Sequence, residues 1–164
     1  ATPTLCFFAV FMFIGASPGG TGGGIKTCTF GVLLATLFSM SRNRDRVSLF
    51  KRTIPKEVVR KALVVVFLAL TWISVAVFLL LLVEHRKAAI LDNFFLQILF
   101  EVISAFGTVG LSTGITPTLS AAGKLIIIFT LFAGRIGPLT LALAVALQSD
   151  KGMYTYPEEK IMIG

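Results

Sequence analysis

The feature that most limits what this chain can fold into is a run of 22 residues, Ala62–Val83, that holds neither a charge nor a proline. As an α-helix rising about 1.5 Å per residue it measures about 33 Å, enough to cross a hydrocarbon core of about 30 Å. A surface helix of a soluble protein would break such a run with polar residues at helical spacing. The other apolar blocks agree, since 55% of the 164 residues are hydrophobic, 14% are charged, and mean hydropathy is +0.90. Soluble domains carry roughly a quarter charged residues. The sequence is that of an integral membrane protein and argues against a water-soluble enzyme.

The formal charge of +7 is not spread evenly. Eight of the fifteen basic residues (Arg42, Arg44, Arg46, Lys51, Arg52, Lys56, Arg60 and Lys61) fall in the connector 41–61, directly before the 22-residue block. The positive-inside rule places such a loop in the cytoplasm. No nucleic-acid partner is expected, because the cluster has no interleaved aromatic pattern and no recognised module. The expected partner at this level is the lipid bilayer. Cys6 and Cys28 both lie in apolar stretches, so neither a disulfide framework nor a CxxC metal site is available. A single histidine, His85, leaves no histidine cluster for catalysis or metal binding, and it is expected to be solvated at the outer interface. The chain opens at Ala1 without a methionine, a basic n-region or a cleavage site, and is expected to be a piece of something longer.

Residues Thr4–Met40 contain one charge, Lys26, but a straight helix over them would be about 55 Å long. Five glycines and a proline fall within Pro18–Gly24 and will not stay helical. The flanking apolar pieces, Thr4–Ala16 and Cys28–Met40, have 13 residues each and are too short to span alone. Two half-helices joined by an irregular loop at mid-membrane fit these lengths, and bare backbone at that depth is tolerated only where it is buried in protein or faces water. Ala62–Val83 then crosses outward, and Glu84–Asp92 forms a short external loop. Asn93–Phe106, about 21 Å as a helix, is too short to cross. It ends in Gly107-Thr108-Val109-Gly110-Leu111-Ser112-Thr113-Gly114, which suggests a re-entrant segment over 93–117. Ala121–Leu147 is long enough to span inward, with Lys124 snorkelling at its outer end, and 148–164 forms a cytoplasmic tail. The expected architecture is an all-α membrane protein with a broken helix over 1–40, a basic connector, and a helix–pore loop–helix repeat over 62–147. Residues before Thr4 lie outside in this arrangement.

Two glycine segments carry the functional signal. Gly19–Thr27 superficially resembles a phosphate loop, but Ile25 separates Gly24 from Lys26 and no strand precedes it, so nucleotide binding is not expected. G-x-x-x-G helix packing through Gly19/Gly23 and Gly20/Gly24 is one reading. A flexible mid-membrane element lining an aqueous path is the other. Thr108-Val109-Gly110 matches the start of the Thr-Val-Gly-Tyr-Gly loop whose carbonyls replace a potassium ion's hydration shell, and Leu111-Ser112 departs from it. Successive carbonyls can point at one axis only if the backbone alternates in handedness, which glycine allows without steric cost. A simple turn between buried helices is the plainer alternative.

Arg135, near the middle of the last span, costs about 2.5–3.5 kcal/mol there on insertion scales and needs a cavity or partner. One expectation is that it hydrogen-bonds carbonyls of Gly19–Gly24 below the filter. The other is a buried pair with Glu101, for which bracing the pore helix is the alternative role.

Three blocks together resemble the Trk/Ktr/HKT cation-transporter superfamily: Ser17–Thr27, Phe100–Pro117 and Gly134–Thr140. They fall in the right order and cover essentially the whole chain. The likeness is strongest to the membrane subunit of bacterial Ktr potassium-uptake systems, whose C-terminal end Tyr156–Lys160 also resembles. This resemblance implies four covalently linked helix–pore–helix repeats around one pore. It makes Thr108, Val109, Gly110, Leu111 and Ser112 the filter segment of the fourth repeat. Residues 1–40 become the inner helix of the third repeat, with Gly19, Gly20, Thr21, Gly22, Gly23, Gly24 and Lys26 in an intramembrane gate and Arg135 beside it. It further implies K⁺ as substrate, Na⁺ as an activator, no covalent cofactor, a homodimer of the complete subunit in a bacterial cell membrane, and a cytosolic ring of nucleotide-binding regulatory subunits. Two repeats and part of a third are absent from this chain. Alternatives from other classes are a non-conducting membrane anchor or assembly subunit, and a short subunit forming a tetrameric channel. No enzyme is expected, because no nucleophile–base pair or metal cluster is present.

Overall fold

The computed structural model describes residues 2–42, 47–49, 52–85 and 93–137. Arg44, Arg46, Lys51, most of the external loop, the stretch 138–147 of the last span and the tail 148–164 lie outside the described residues. Helix α1 spans Thr2–Phe13 and α2 spans Thr27–Ser41, each too short to cross a bilayer alone. Between them the backbone leaves helical geometry through Pro18–Gly24, as the glycine content requires. Ile14 and Ile25 form a parallel bridge, and the Gly15 amide donates to the Ile25 carbonyl at 2.7 Å. A parallel bridge means that the chain at Ile25 runs the same way as at Ile14. The segment between is an excursion from which α2 resumes the course of α1, not the turn of a hairpin.

Helix α3, Lys56–Val83, has 28 residues and is the one described helix long and apolar enough to cross a membrane. It begins six residues before the apolar block, so Lys56, Arg60 and Lys61 belong to its first turns and not to an irregular connector. Lys, Glu and Arg are good helix formers, and Pro55, at φ −60°, closes the helix off on its N-terminal side. The connector also holds a small antiparallel pair that its composition did not reveal, β1 (Ser48–Leu49) with β2 (Arg52–Thr53).

Helix α4, Phe94–Gly107, is the centre of the fold. It packs against α1, α3 and α5 (Ala121–Ile136), and every residue from Phe100 to Gly107 is buried. Ile98, Val102 and Phe106 meet Leu80, Ala69, Met12 and Ile25 in one apolar core. The outward faces are apolar as well: Phe38, Phe67, Phe78, Phe129 and Phe132 are each more than half exposed. Contiguous apolar surface of this kind is stable only against lipid or further protein.

Of the inner helix expected over 121–147, the described residues reach Gly137. Helix α5 ends at Ile136, and Gly137 caps it at φ +87°, a conformation that helical backbone does not adopt. At its other end α5 is fastened to α3. The Ser120 side chain accepts from the Gly123 amide at 3.1 Å, and the Ser120 amide donates to the Glu84 carboxylate at 2.6 Å. Glu84, only 4% exposed, is therefore not the solvated loop charge that its position in Glu84–Asp92 suggests. It is an anion at a helix N-terminus, where the macrodipole favours it.

Candidate functional site

Where α4 ends, five backbone segments meet. Thr108 stands at φ 52°, ψ 37° as the residue following the helix; its amide donates to Ala105 O at 3.0 Å and the Val109 amide to Ser104 O at 3.0 Å. This is the paired-bond helix ending in which glycine usually takes the left-handed position. A β-branched residue there is an outlier costing on the order of 1–3 kcal/mol, and it persists only where its surroundings hold it. Gly110 is also at positive φ, +83°, whereas Val109 is not, so handedness alternates along Thr108-Val109-Gly110. Val109 and Gly110 are exposed at the surface of the chain.

The continuation of this strand is tied to α4 from behind. The Ser104 hydroxyl donates to the Leu111 carbonyl at 2.5 Å. Glu101, 5% exposed, gathers four donors: Oε1 takes the Ser112 hydroxyl at 2.5 Å, the Thr113 amide at 2.8 Å and the Thr113 hydroxyl at 3.2 Å, and Oε2 takes the Thr116 hydroxyl at 2.8 Å. Ser112 Oγ in turn accepts from the Gly114 amide at 2.9 Å. A buried carboxylate is stable when its lone pairs are met in this way. Of the five residues named as the filter, Leu111 turns its carbonyl and Ser112 its hydroxyl toward α4; Thr108, Val109 and Gly110 form the outward part.

The Gly19–Gly24 loop lies against the same helix end. The buried Gly23 donates its amide to Thr108 Oγ1 at 2.7 Å. A Cβ on Gly23 would come within 2.8 Å of Phe106 O and of the Thr108 methyl, and within 3.0 Å of Gly134 O. Gly107 leaves no more room: a Cβ there would lie 2.7 Å from Met12 O. Gly134 presses directly onto the Phe106 carbonyl. Glycine contact is thus present, but between a loop and three helix ends. The G-x-x-x-G helix face proposed for Gly19/Gly23 and Gly20/Gly24 does not form, since these residues are not helical, and a Cβ on Gly19 would meet nothing within 4 Å.

Lys26 makes the loop-carbonyl contacts that were one expectation for Arg135. Lys26 Nζ donates to Gly22 O at 2.7 Å and Gly20 O at 3.2 Å, folding the loop around its own ammonium. Arg135 is exposed at the end of α5, beside the loop through Gly134, and among the described residues it binds neither the Gly19–Gly24 carbonyls nor Glu101. The lysine is four residues from Gly22 and reaches it without crossing to another helix. Glu101 has already filled its lone pairs with hydroxyls and an amide. Thr21, Gly19 and Gly20 stand on the exposed side of the loop; Gly23 and Gly24 are buried. His85 is exposed, with Nδ1 3.0 Å from Leu82 O, and Cys6 and Cys28 are free thiols. No group of three metal-ligating side chains occurs among the described residues.

The sequence of this chain matches known proteins over nearly its whole length. Residues 1–155 fit the family model TrkH, described as cation transport protein. The chain is 42% identical to the Ktr system potassium uptake protein D of Bacillus subtilis, covering 98% of this chain and 34% of that protein. It is 41% identical to the Ktr system potassium uptake protein B of Vibrio alginolyticus, over 99% of this chain and 34% of that protein. It is 40% identical to the potassium/sodium uptake protein NtpJ of Enterococcus hirae, over 93% and 34%. The chain therefore spans about a third of the length of these relatives. With the glycine loop, the braced strand and the helix order all in the matched region, the chain belongs to the TrkH family of membrane cation transport proteins.

Proposed function

We propose that this chain supplies the C-terminal third of a potassium-uptake subunit that passes K⁺ down its electrochemical gradient without catalysing a reaction. The observation that carries the reading is the segment Thr108–Gly110, alternating in handedness and exposed at Val109 and Gly110, with its continuation fixed by Glu101 and Ser104 and the Gly19–Gly24 loop seated against its inner end. In this reading the carbonyls of Thr108, Val109 and Gly110 form one quarter of a selectivity filter and Leu111 and Ser112 anchor it. The C-terminal end of α4 points its negative dipole toward the ion. Glu101 supports the pore helix, and the loop Gly19–Gly24, folded on Lys26, is the gate. Arg135 adds positive charge beside that gate without bonding it. Backbone outside regular structure at membrane depth is expected where it lines an aqueous path.

The remaining parts of the proposal follow family resemblance and chain pattern. The other three quarters of the filter come from the rest of the complete subunit, which forms a homodimer and rests on a cytosolic nucleotide-binding ring. Na⁺ acts as an activator. The basic connector and the C-terminus face the cytoplasm of a bacterial cell, and the residues before Thr4 face outward.

Replacing Gly110 by serine in the complete subunit tests the reading. A side chain at φ +83° strains the strand, so K⁺ uptake is expected to lose its preference over Na⁺ in a flux assay. Retained selectivity at normal membrane levels would favour a non-conducting anchor.

A further inference from the structure

The strand and the loop share one atom. Thr108 Oγ1 accepts the Gly23 amide across 85 positions of sequence. The contact is built from both sides. Thr108 holds a left-handed conformation that glycine would take without strain, so something other than backbone geometry favours a threonine there. Gly23 has no room for a side chain between Phe106 O, Gly134 O and the Thr108 methyl, so only glycine brings its amide this close. Gly23 is buried, and a buried amide deprived of its acceptor is unfavourable. The bond is therefore a constraint on how the loop is seated.

We propose that Thr108 is a positioning residue that couples ion occupancy to gate position: its hydroxyl oxygen holds the Gly23 amide when the loop is seated and becomes a ligand for K⁺ at the innermost filter position when the loop withdraws. This rests on the reading of Thr108–Gly110 as filter and of Gly19–Gly24 as gate. A hydroxyl has two acceptor lone pairs and one donor. With the loop seated, the amide uses one lone pair and directs its positive end at the oxygen, so a cation approaching that oxygen meets both a poorer ligand and a like-signed dipole. The seated loop lowers K⁺ affinity at that position, and by reciprocity K⁺ there favours release of the loop. The exchange concerns one hydrogen bond between neutral groups, so the coupling is about three- to tenfold.

The test uses the complete subunit with its cytosolic partner. Cys6 and Cys28 are replaced by alanine, and Thr21, exposed on the loop, by cysteine as a reporter. The reporter's modification by a small charged methanethiosulfonate is timed in choline and in saturating K⁺. Modification is expected to rise about three- to tenfold with K⁺. Thr108→Val keeps the shape, removes the acceptor, and should give a fast rate that K⁺ no longer changes; Thr108→Ser keeps the oxygen and should restore the K⁺ dependence. A reporter indifferent to K⁺, or a Thr108→Val protein with an undiminished K⁺ dependence, overturns the inference. Should Thr108→Val not yield a monodisperse protein, hydrogen exchange at the Gly23 amide of the unmutated subunit decides: faster exchange in K⁺ than in choline supports the coupling, equal exchange sinks it. The filter reading fails separately, through a Gly110→Ser subunit that keeps its preference for K⁺ over Na⁺.

Discussion

The two glycine-rich segments, Pro18–Gly24 and Gly107–Gly114, are alike in composition and opposite in how they are held. The second is fastened to the helix that delivers it: Glu101 and Ser104 reach forward 7 to 15 residues and fix Leu111, Ser112, Thr113 and Thr116. Its shape is written into a single helix–strand unit. The first has no such unit. Its carbonyls are met by Lys26, its rim by the Ile14–Ile25 bridge, and its inner end by Thr108 from the far side of the fold. A segment fixed by its own buried helix keeps its geometry when neighbours move. One fixed by a flexible lysine and a distant hydroxyl can leave. That is the division of labour that the proposed filter and the proposed gate require.

The junction between the two is the place to break the comparison most severely. Gly134→Ala puts a methyl into the Phe106 carbonyl, with backbone and not a flexible side chain in the way. Overpacking of this kind costs about 1–3 kcal/mol or more. Loss of monodisperse protein from detergent extracts is expected, and a variant with unchanged melting temperature would show that α5 and α4 are not locked together here.

Glu101→Gln tests the rigid segment next. The amide offers one acceptor and turns an NH₂ toward donors, forfeiting charge-assisted bonds of about 1.5–3 kcal/mol. A lower melting temperature together with weakened K⁺ over Na⁺ selectivity is the expected pair of results; destabilisation with selectivity intact would separate the brace from the filter. Lys26→Met tests the mobile segment. It removes the donor from Gly20 O and Gly22 O while keeping the aliphatic stem. The loop should unseat about tenfold more readily, seen as K⁺ leak in the absence of activation, with selectivity unchanged. A tighter gate would reverse the role given to Lys26. The smallest effect sharpens the contrast: Gly31, within α2, has nothing within 4 Å of an added Cβ. Gly31→Ala should raise stability by about 0.5–1 kcal/mol, measured as a higher melting temperature, and leave transport alone.

Much of this arrangement is legible along the chain. The short helices α1 and α2 around a glycine break, the short helix α4 before Thr108, and the long α3 all follow from counting residues against a bilayer. Their ends are set by local rules: α3 begins at Lys56 because its charged first turns are helix formers, and α5 closes at Ile136 where Gly137 takes a positive φ. The antiparallel pair Ser48–Leu49 with Arg52–Thr53 left too short a pattern to recognise.

The partners of the charged side chains were not legible. Arg135 invited a buried partner by its position, yet it is exposed; Lys26, four residues from Gly22, takes the carbonyls instead. Glu84 looked like a loop charge and caps α5. Helix length, glycine breakage and charge asymmetry depend on neighbours within a turn or two and on the thickness of the bilayer, so the sequence determines them by itself. Which donor meets which acceptor depends on where two stretches 36 or 85 residues apart are brought together. Such pairings were decided only when α1, α3 and α5 closed around α4, because hydrogen bonds act over about 3 Å and carry no signature along the chain.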